Sequence, residues 1–259
     1  MTGDQALAGI GVLVTRPAAQ AAALCAGLAA RGAVSVALPT IAIEPTPLQP
    51  PLVEALRAAA TADWWVFVSR NAVAHGLARL RELGIGRAPA TRIMVVGHGT
   101  AAALAEHGLT VDLVPDAGFN SEALLTAPEL ADMTGRRVSI IRGVGGRELL
   151  ASTLRARGAQ VDYVEVYRRV QPALDADAAM NRWQAAGAGA VVVTSAEGLD
   201  NLLSMAGEHG AAALRQALLV TVSDRIAEAA AGYGFTRCEV APAPGDAEII
   251  QTLIRSLGR

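Results

Sequence analysis

The chain has 259 residues, of which 52% are hydrophobic and only 3% are aromatic, so its cores must be built mainly from Ala, Val, Leu and Ile. This length is sufficient for two domains that each bury a core. The net charge of -2 and the lack of a long basic run argue against nucleic-acid binding. No apolar run approaches the ~18 residues that a membrane-spanning helix needs, and an acid stands where a secretory signal has basic residues. We therefore expect a cytoplasmic protein without nucleic-acid or membrane partners.

Taken in chain order, the sequence alternates short apolar strands with helices. One of these helices is expected to begin at residues 119–122, with Asn120 or Ser121 as its N-cap. Because the strands are continuously apolar, they indicate parallel sheets that are covered on both faces. In the first half of the chain, strands are predicted at residues 12–15, 34–38, 40–43, 64–68, 93–96 and 111–114.

The second half repeats this order of elements at a constant offset. Arg142 falls on Arg16, since 142 − 16 = 126, and the same shift places Ser195 on Ser69. Several further strand–turn–helix segments agree at this offset without a net insertion. The sequence therefore predicts an internal duplication and an α/β protein with two doubly wound parallel-sheet domains.

The turns that follow the predicted strands are the candidate ligand-binding positions, because ligands in open parallel sheets bind beyond the carboxyl ends of the strands. These turns are rich in hydroxyls, glycines and arginines, which suit carboxylate or phosphate groups. Gly, Ser and Thr are also what such turns and helix N-caps need for themselves, so the concentration of arginines is what favours an anion site. The candidates are Thr15, Arg16, Ser69, Asn71, Gly97, Thr100, Ser121, Arg142, Gly143, Gly146, Arg147, Thr194, Ser195 and Ser223. Of these, Arg16, Arg142 and Arg147 are expected to be exposed at the strand ends, where they would contribute more to ligand binding than to the core.

Other kinds of site find little support in the sequence. Residues 142–148 are similar to a dinucleotide-binding loop, but Glu148 stands at the third glycine position, where a carboxylate would repel a pyrophosphate. The histidines and the two cysteines have no metal-ligand spacing, and Ser195 lies in no Gly-x-Ser-x-Gly motif. We therefore predict no cofactor, no metal ion and no hydrolase triad.

The order of the motifs resembles that of the uroporphyrinogen-III synthase family over almost the whole chain. Each motif alone is common in strand-to-helix turns, and the resemblance rests on seven of them in the family's order and spacing. They are VLVTRP at 12–17, VFVSRNAV at 66–73, VVGHGTAAAL at 95–104, SEAL at 121–124, the segment at 140–169 that begins IIRGVGGR and ends VEVYRR, VVVTSAEGLDNLL at 191–203 and VSDRIAEAA at 222–230.

The resemblance implies a domain arrangement that the repeat alone does not predict. The chain would begin one domain, cross once to build the second, and then return. Residues 1–38 with 170–259 would form one domain, and residues 39–169 would form the other. The two crossing strands, near 40–44 and 163–168, would pair as a two-stranded β-ladder hinge, with the ligand cleft between the domains.

The resemblance also implies an activity, which is the cofactor-independent cyclisation of hydroxymethylbilane to uroporphyrinogen III with inversion of ring D and loss of water. The substrate is a linear tetrapyrrole with eight carboxylates. Tyr167 matches the tyrosine that the family places on the returning strand, and its phenol can donate a proton to the departing hydroxyl. A tyrosine that only packs is the alternative. Where the family commonly has Gly-Pro-x-Thr-Ala, this chain has SDRIA at 223–227, so that Ser223 would supply the hydroxyl there.

A function of a different class is also compatible with the sequence. A non-catalytic, hinged two-domain protein could close on an anionic ligand and use the same strand-end groups. In either case we expect a monomer. For the synthase, transient contact with the enzyme that supplies its substrate is a further expectation.

Overall fold

The computed structural model describes residues 5–115, 118 and 120–258. Residues 1–4 of the first expected domain, and Phe119 at the start of a predicted helix, lie outside the described residues. No helix in the described part of the chain is long and apolar enough to cross a lipid bilayer.

The helices and strands alternate along the chain as the apolar periodicity predicts. They are, in order, β1 (Gly11–Val14), α1 (Ala18–Ala29), β2 (Val34–Ala37), β3 (Ala42–Pro45), α2 (Pro50–Ala59), β4 (Trp64–Phe67), α3 (Arg70–Glu82), β5 (Arg92–Val95), α4 (His98–Glu106), α5 (Ser121–Leu124), β6 (Arg137–Gly143), α6 (Leu149–Ala156), β7 (Gln160–Val170), α7 (Ala176–Ala185), β8 (Ala188–Val192), α8 (Ala196–Gln216), β9 (Leu218–Thr221), α9 (Asp224–Gly232), β10 (Cys238–Val240) and α10 (Asp246–Leu257).

The chain divides into two compact units. One is formed by Met1–Ala42 together with Val170–Arg259, and the other by Ile43–Arg169. The chain therefore passes from the first unit to the second between Ala42 and Ile43, whereas the family resemblance implied a passage between residues 38 and 39.

The first unit contains a five-stranded sheet in the order β10-β9-β8-β1-β2. Its neighbouring strands pair in parallel throughout. Successive residues of β1 point to opposite faces, so that Leu13 joins one buried cluster and Val12 and Val14 join another. A sheet buried on both faces in this way is doubly wound, as the apolar strands predict.

The second unit contains a five-stranded sheet in the order β3-β7-β6-β4-β5. The β4–β5, β4–β6 and β6–β7 pairs are parallel, and buried clusters again cover both faces. The register between β6 and β7 shifts after Arg142, which pairs with Glu165, because Gly143 pairs with Tyr167. Val166 is therefore an extra residue in β7, and this β-bulge redirects the end of the strand.

The predicted strand at residues 111–114 is wrong, because the structure has only an isolated parallel bridge between Met94 and Leu113 there. The Asp112 carboxylate accepts a hydrogen bond from the Ile93 N–H at 2.7 Å. The Asp112 side chain thus binds the Ile93 N–H group, which a continuous pair of strands would use for a backbone hydrogen bond. At the helix α5, the N-cap is Asn120, whose Oδ1 accepts from the Ala123 N–H at 2.8 Å.

Several elements of the two halves of the sequence coincide at the offset of 126 residues. The helix α7 has the bounds of α2 under this shift, and α9 has those of α4. The strand β9 likewise has the bounds of β5. The agreement extends to elements that lie in different units, since β5 belongs to the second unit and β9 to the first.

Candidate active site

An open pocket of about 350 Å³ lies in the second unit, where β4 and β6 end. The loop after β6 lines one side of the pocket and is rich in glycines, so few side chains project from it. The residues between β4 and α3 line another side. It brings together the predicted residues Ser69, Ser121, Arg142, Gly143, Gly146, Arg147 and Tyr167.

Tyr167 lines this pocket and is buried except for about 4% of its surface. Its hydroxyl oxygen lies 3.1 Å from the Oγ atom of Ser69. The ring packs against the His75 imidazole, with the two ring centres 5.7 Å apart. Burial and the neighbouring Arg79 lower the pKa of His75, in that order of importance, so the neutral imidazole is favoured beside the phenol.

The β-bulge in β7 explains how Tyr167 reaches this position. Simple alternation would place Tyr163, Glu165 and Tyr167 on one face of the sheet. With the bulge, Val166 and Tyr167 both pack into the buried cluster that contains the helix α3, whereas Tyr163 packs on the other face. The bulge therefore places the two tyrosines of β7 on different sides of the pocket.

The side chain of Arg142 is almost fully buried, with only 6% of it exposed. Its guanidinium lies 3.3 Å from Glu148 and 4.0 Å from Glu165, and it stacks 4.5 Å above the ring of Tyr163. The guanidinium is thus held by an aromatic face on one side and by two carboxylates beside it. The expectation of an exposed strand-end arginine is therefore wrong for Arg142.

Tyr163 and Glu148 complete the surroundings of Arg142. The Tyr163 hydroxyl donates to Glu148. This bond is the largest influence and, together with the bond and charge of Arg142, it outweighs the opposing effect of burial and lowers the pKa of Glu148. Burial, followed by the bond to Glu148, raises the pKa of Tyr163. Both shifts favour a protonated phenol that donates to an ionised carboxylate.

The loop after β6 contributes backbone and an exposed charge. Gly146 has φ of +103°, and a Cβ atom there would lie 2.8 Å from Nη2 of Arg142, so its lack of a side chain gives the guanidinium room. The Gly145 N–H donates to Glu165 at 3.2 Å. Arg147 is 74% exposed and lies 3.0 Å from Glu122. This arginine matches the expectation of a solvent-exposed cation at the mouth of the pocket.

Three predicted residues of the second unit do not line this pocket. Asn71 is half-buried in the first turn of α3, one residue after Arg70. Gly97 is the N-cap of α4, and Thr100 is buried within that helix. Gly97 and Thr100 therefore lie at the start of α4, outside this pocket.

The remaining predicted residues belong to the first unit. The buried Thr15 hydroxyl donates to the Val192 carbonyl at 2.8 Å. Arg16 is only 11% exposed in its side chain, and it donates to Asp246 and to the Pro244 carbonyl. The expectation of an exposed guanidinium is thus also wrong for Arg16, which ties the end of β1 to the start of α10.

Three further hydroxyl residues of the first unit follow β8 and β9. Thr194 is half-buried, and Ser195 caps α8 by accepting from the Gly198 N–H at 3.0 Å. Ser223 occupies the N-cap position of α9 but makes no capping bond with its side chain. These three residues lie at strand ends as predicted.

Tyr163, Glu165 and Arg169 were not among the predicted site residues, although Tyr163 and Arg169 line the pocket. The alternation of polar and apolar residues from 163 to 167 was the signal that could have identified Tyr163 and Glu165, but Arg168 interrupts it before Arg169. Among the described residues, no group of three or more His, Cys, Asp or Glu side chains is placed to hold a metal ion.

Comparison with known proteins finds the same family that the order of the motifs resembles. A family model described as uroporphyrinogen-III synthase HemD matches residues 22–251. The uroporphyrinogen-III synthase of Salmonella typhimurium is 36% identical over 235 residues, which cover 89% of this chain and 94% of that protein. The Escherichia coli protein of the same name is 35% identical over 234 residues, with the same coverage of 89% and 94%.

Solved structures are similar to this chain in fold. A mutant uroporphyrinogen III synthase from Thermus thermophilus has a TM-score of 0.64 at 20% identity, over 96% of this chain and 98% of that chain. The uroporphyrinogen-III synthetase of Helicobacter pylori has a TM-score of 0.63 at 14% identity, over 95% and 99%. At these identities the likeness concerns the α/β fold alone. Because the family model spans most of the sequence and two relatives exceed 30% identity over nearly their full length, the chain belongs to the uroporphyrinogen-III synthase family.

Proposed function

We propose that this chain converts hydroxymethylbilane to uroporphyrinogen III as a cofactor-independent cyclising lyase. Membership of the family supports the reaction, and the names of the matched relatives do not favour the non-catalytic binding protein. The observation that carries the proposal is the placement of the Tyr167 phenol and the Arg142 guanidinium in one pocket. This pocket can hold a carboxylate and supply a proton.

Carboxylate binding is the first task of such a site, because the substrate carries eight carboxylates. Arg142, Arg147 and Arg169 all line the pocket. A guanidinium can bind a carboxylate through two parallel hydrogen bonds, which fixes its orientation as well as its position. We propose that these arginines hold acetate or propionate groups of the substrate. Thr194, Ser195 and Ser223 are proposed as further substrate contacts from the first unit.

Assistance to the leaving hydroxyl is the second task, and we assign it to Tyr167. The hydroxyl would leave with the electron pair of its C–O bond and accept the phenol's proton, so that water departs. The lone pair of the pyrrole nitrogen would form a ring C=N bond while the ring double bonds shift to give the new exocyclic C=C bond. Return of the pyrrole N–H proton to the phenolate would then give a neutral azafulvene and restore the phenol.

Control of ring closure is the third task. In this reaction ring D attacks through its substituted carbon to form a spiro intermediate, and fragmentation and reclosure leave ring D inverted. Spontaneous closure, by contrast, joins the ends head to tail and gives isomer I. Fixing the carboxylates of the substrate would favour the inverted closure, because it holds the reacting atoms in one geometry.

We also infer that the two halves of the sequence arose by duplication and that β3 and β7 form the hinge ladder. The coincident bounds of α2 with α7, and of β5 with β9, support the duplication. The position of β3 beside β7, with a 2.9 Å ion pair between Glu44 and Arg168, supports the ladder. A cytoplasmic monomer remains our expectation.

An isomer assay tests the proposed function. The protein is mixed with hydroxymethylbilane, the reaction is stopped by oxidation, and the porphyrin isomers are resolved by chromatography. We expect isomer III to predominate, whereas the control without protein gives isomer I. Isomer I alone in both samples would rule out the synthase activity.

A further inference from the structure

We propose that Ser69 is a positioning residue for Tyr167, because the Ser69 hydroxyl donates a hydrogen bond to the phenol oxygen. The phenol's own proton is then left to point into the pocket. This inference rests on the proposed function, since it assigns Ser69 a role in the proton transfer from Tyr167. It replaces the expectation that Ser69 binds the substrate directly.

The contacts of the Ser69 hydroxyl are the starting point. Ser69 is the N-cap of α3, and its Oγ atom accepts a hydrogen bond from the Ala72 N–H at 3.0 Å. The same atom lies 3.1 Å from the hydroxyl oxygen of Tyr167. One serine oxygen thus connects the first turn of a 13-residue helix to the phenol.

Either hydroxyl could donate the second bond, and the bond from the Ala72 N–H favours one of the two directions. A serine hydroxyl has one proton and two lone pairs, and the Ala72 N–H occupies one lone pair. That N–H also polarises the serine O–H, which makes it a better donor and a poorer acceptor. We therefore assign the donated proton to Ser69 and the accepting lone pair to Tyr167.

This direction suits a general acid. A phenol that has given up its proton carries negative charge on its oxygen, and a donated hydrogen bond stabilises that charge as it develops. The positive end of the helix dipole at the start of α3 acts in the same sense. The reverse direction would instead engage the Tyr167 proton with Ser69 and hold it away from the substrate.

Because the Tyr167 ring is tightly packed, the main motion left to the side chain is rotation of its hydroxyl group. His75 packs against the ring, and Gly143 is in close contact with it, as shown by the 2.6 Å that would separate a Cβ at Gly143 from the ring. With the ring held, rotation about the C–O bond decides where the proton points. A single hydrogen bond to the oxygen is then sufficient to set it.

Helix capping alone is the competing explanation, and the sequence repeat shows why it is incomplete. Ser195, the counterpart of Ser69, caps α8 through the Gly198 N–H at 3.0 Å. The counterpart of Tyr167 is Ile41, since 167 − 126 = 41, and an isoleucine offers no oxygen. Capping accounts for a serine at both positions, but the bond to a phenol exists in only one of them.

The test separates capping from proton positioning with three substitutions. Ser69→Ala removes both functions, whereas Ser69→Thr keeps both. Ser69→Asp keeps the cap, because aspartate caps as well as serine, but an ionised carboxylate can only accept. Each variant is made in the parent and in Tyr167→Phe, and kcat and KM for hydroxymethylbilane are measured together with the melting temperature.

We expect Ser69→Ala and Ser69→Asp to lower kcat about tenfold, roughly the effect of one hydrogen bond, with KM changed by less than about twofold. Ser69→Thr should keep the parent kcat. In the Tyr167→Phe background the loss caused by Ser69→Ala should disappear, because the oxygen that Ser69 acts on is gone. Asp175→Ala, which removes the cap of α7, should lower only the melting temperature.

Two results would overturn the inference while the parent still makes isomer III. One is an equal loss of kcat on Ser69→Ala in the parent and in Tyr167→Phe. The other is a parent-like kcat for Ser69→Asp. If Ser69→Ala does not fold, the comparison of Ser69→Asp with Ser69→Thr decides the question alone. A parent that makes no isomer III would instead reject the proposed function, and the inference with it.

Discussion

Gly143 is packed against the ring of Tyr167 so closely that a Cβ atom at this position would clash with the ring. A Cβ atom at Gly143 would lie 2.6 Å from Cε2 and 2.7 Å from Cζ of the tyrosine. The two residues are also register partners at the bulge, where β6 pairs with β7. The glycine therefore determines where the phenol can lie.

Substitution of Gly143 by alanine should displace the phenol. The added methyl group must push the ring away, and we expect the free energy of unfolding to fall by about 1–3 kcal/mol, as for other overpacked sites. Turnover should fall as well, because the hydroxyl leaves its position beside Ser69. Urea unfolding and steady-state kinetics with hydroxymethylbilane measure the two effects.

Gly86→Ala is the matched control for this substitution. A Cβ atom at Gly86 would have no heavy atom within 4 Å. We expect its stability to stay within about 1 kcal/mol of the parent and its turnover to be unchanged. Parent-like stability and turnover in Gly143→Ala would show that the ring does not depend on the glycine.

Much of the fold could be predicted because its signals are local. The strands are continuously apolar, and glycines end several helices in the conformation that only glycine adopts readily. Gly32 has φ of +81° and follows α1, and Gly158 has φ of +93° and follows α6. The parallel sheets of the α/β fold follow from the same alternation, and the structure confirms them.

The parts that could not be predicted depend on residues that are distant in the sequence. The bulge at Val166 exists only once β6 and β7 have paired. The burial of Arg142 depends on Tyr163 and Glu165, which the strand pairing brings beside it. The strand expected near Leu113 is reduced to a bridge by the Asp112 carboxylate, which no periodicity reveals.

The two arginines at the pocket should respond differently to substitution. Arg142→Ala empties a buried position and leaves carboxylates without their cation, so we expect losses of both stability, about 1–3 kcal/mol, and substrate affinity. Arg147→Ala removes an exposed ion pair, so its stability should stay within about 1 kcal/mol of the parent while affinity falls. Urea unfolding and KM for hydroxymethylbilane measure the difference.

Arg16→Ala extends this comparison to the first unit. Because Arg16 is bonded to Asp246 and to the Pro244 carbonyl, we expect a loss of stability. Full stability in both Arg16→Ala and Arg142→Ala would contradict the buried roles given to these side chains.

Glu148 should compete with the substrate for Arg142. Its carboxylate lies 3.3 Å from the guanidinium but is 63% exposed, so a substrate carboxylate can replace it. Glu148→Gln keeps an acceptor for Tyr163 and removes the competing charge. We expect KM for hydroxymethylbilane to fall by up to about fivefold, the limit for an exposed ion pair. Glu129→Gln makes the same change of net charge outside the pocket and should leave KM unchanged; equal effects of both substitutions would contradict competition.

The same carboxylate should contribute to stability in a pH-dependent way. The bond from Tyr163, aided by Arg142, lowers the pKa of Glu148 below its ordinary value of 4.5. A group with a lowered pKa in the folded protein stabilises it above the ordinary pKa, and the contribution is lost as the pH falls through the folded value. The stability difference between the parent and Glu148→Gln should therefore shrink as the pH falls below 4.5. Urea unfolding at successive pH values measures it, and a difference that stays constant would contradict the bond to Tyr163.

The proton transfer from Tyr167 is tested most directly by a single-turnover comparison of the parent with Tyr167→Phe. Hydroxymethylbilane is mixed with excess protein, and isomers III and I are followed over time. Phenylalanine keeps the ring against Gly143 and His75, so folding and substrate affinity should change little. We expect the parent to give isomer III and Tyr167→Phe to form it at least about 10²-fold more slowly, the usual effect of losing a general acid, with isomer I rising as spontaneous closure overtakes it. Formation of isomer III by Tyr167→Phe at the parent's rate would contradict the role of the Tyr167 phenol as the proton donor.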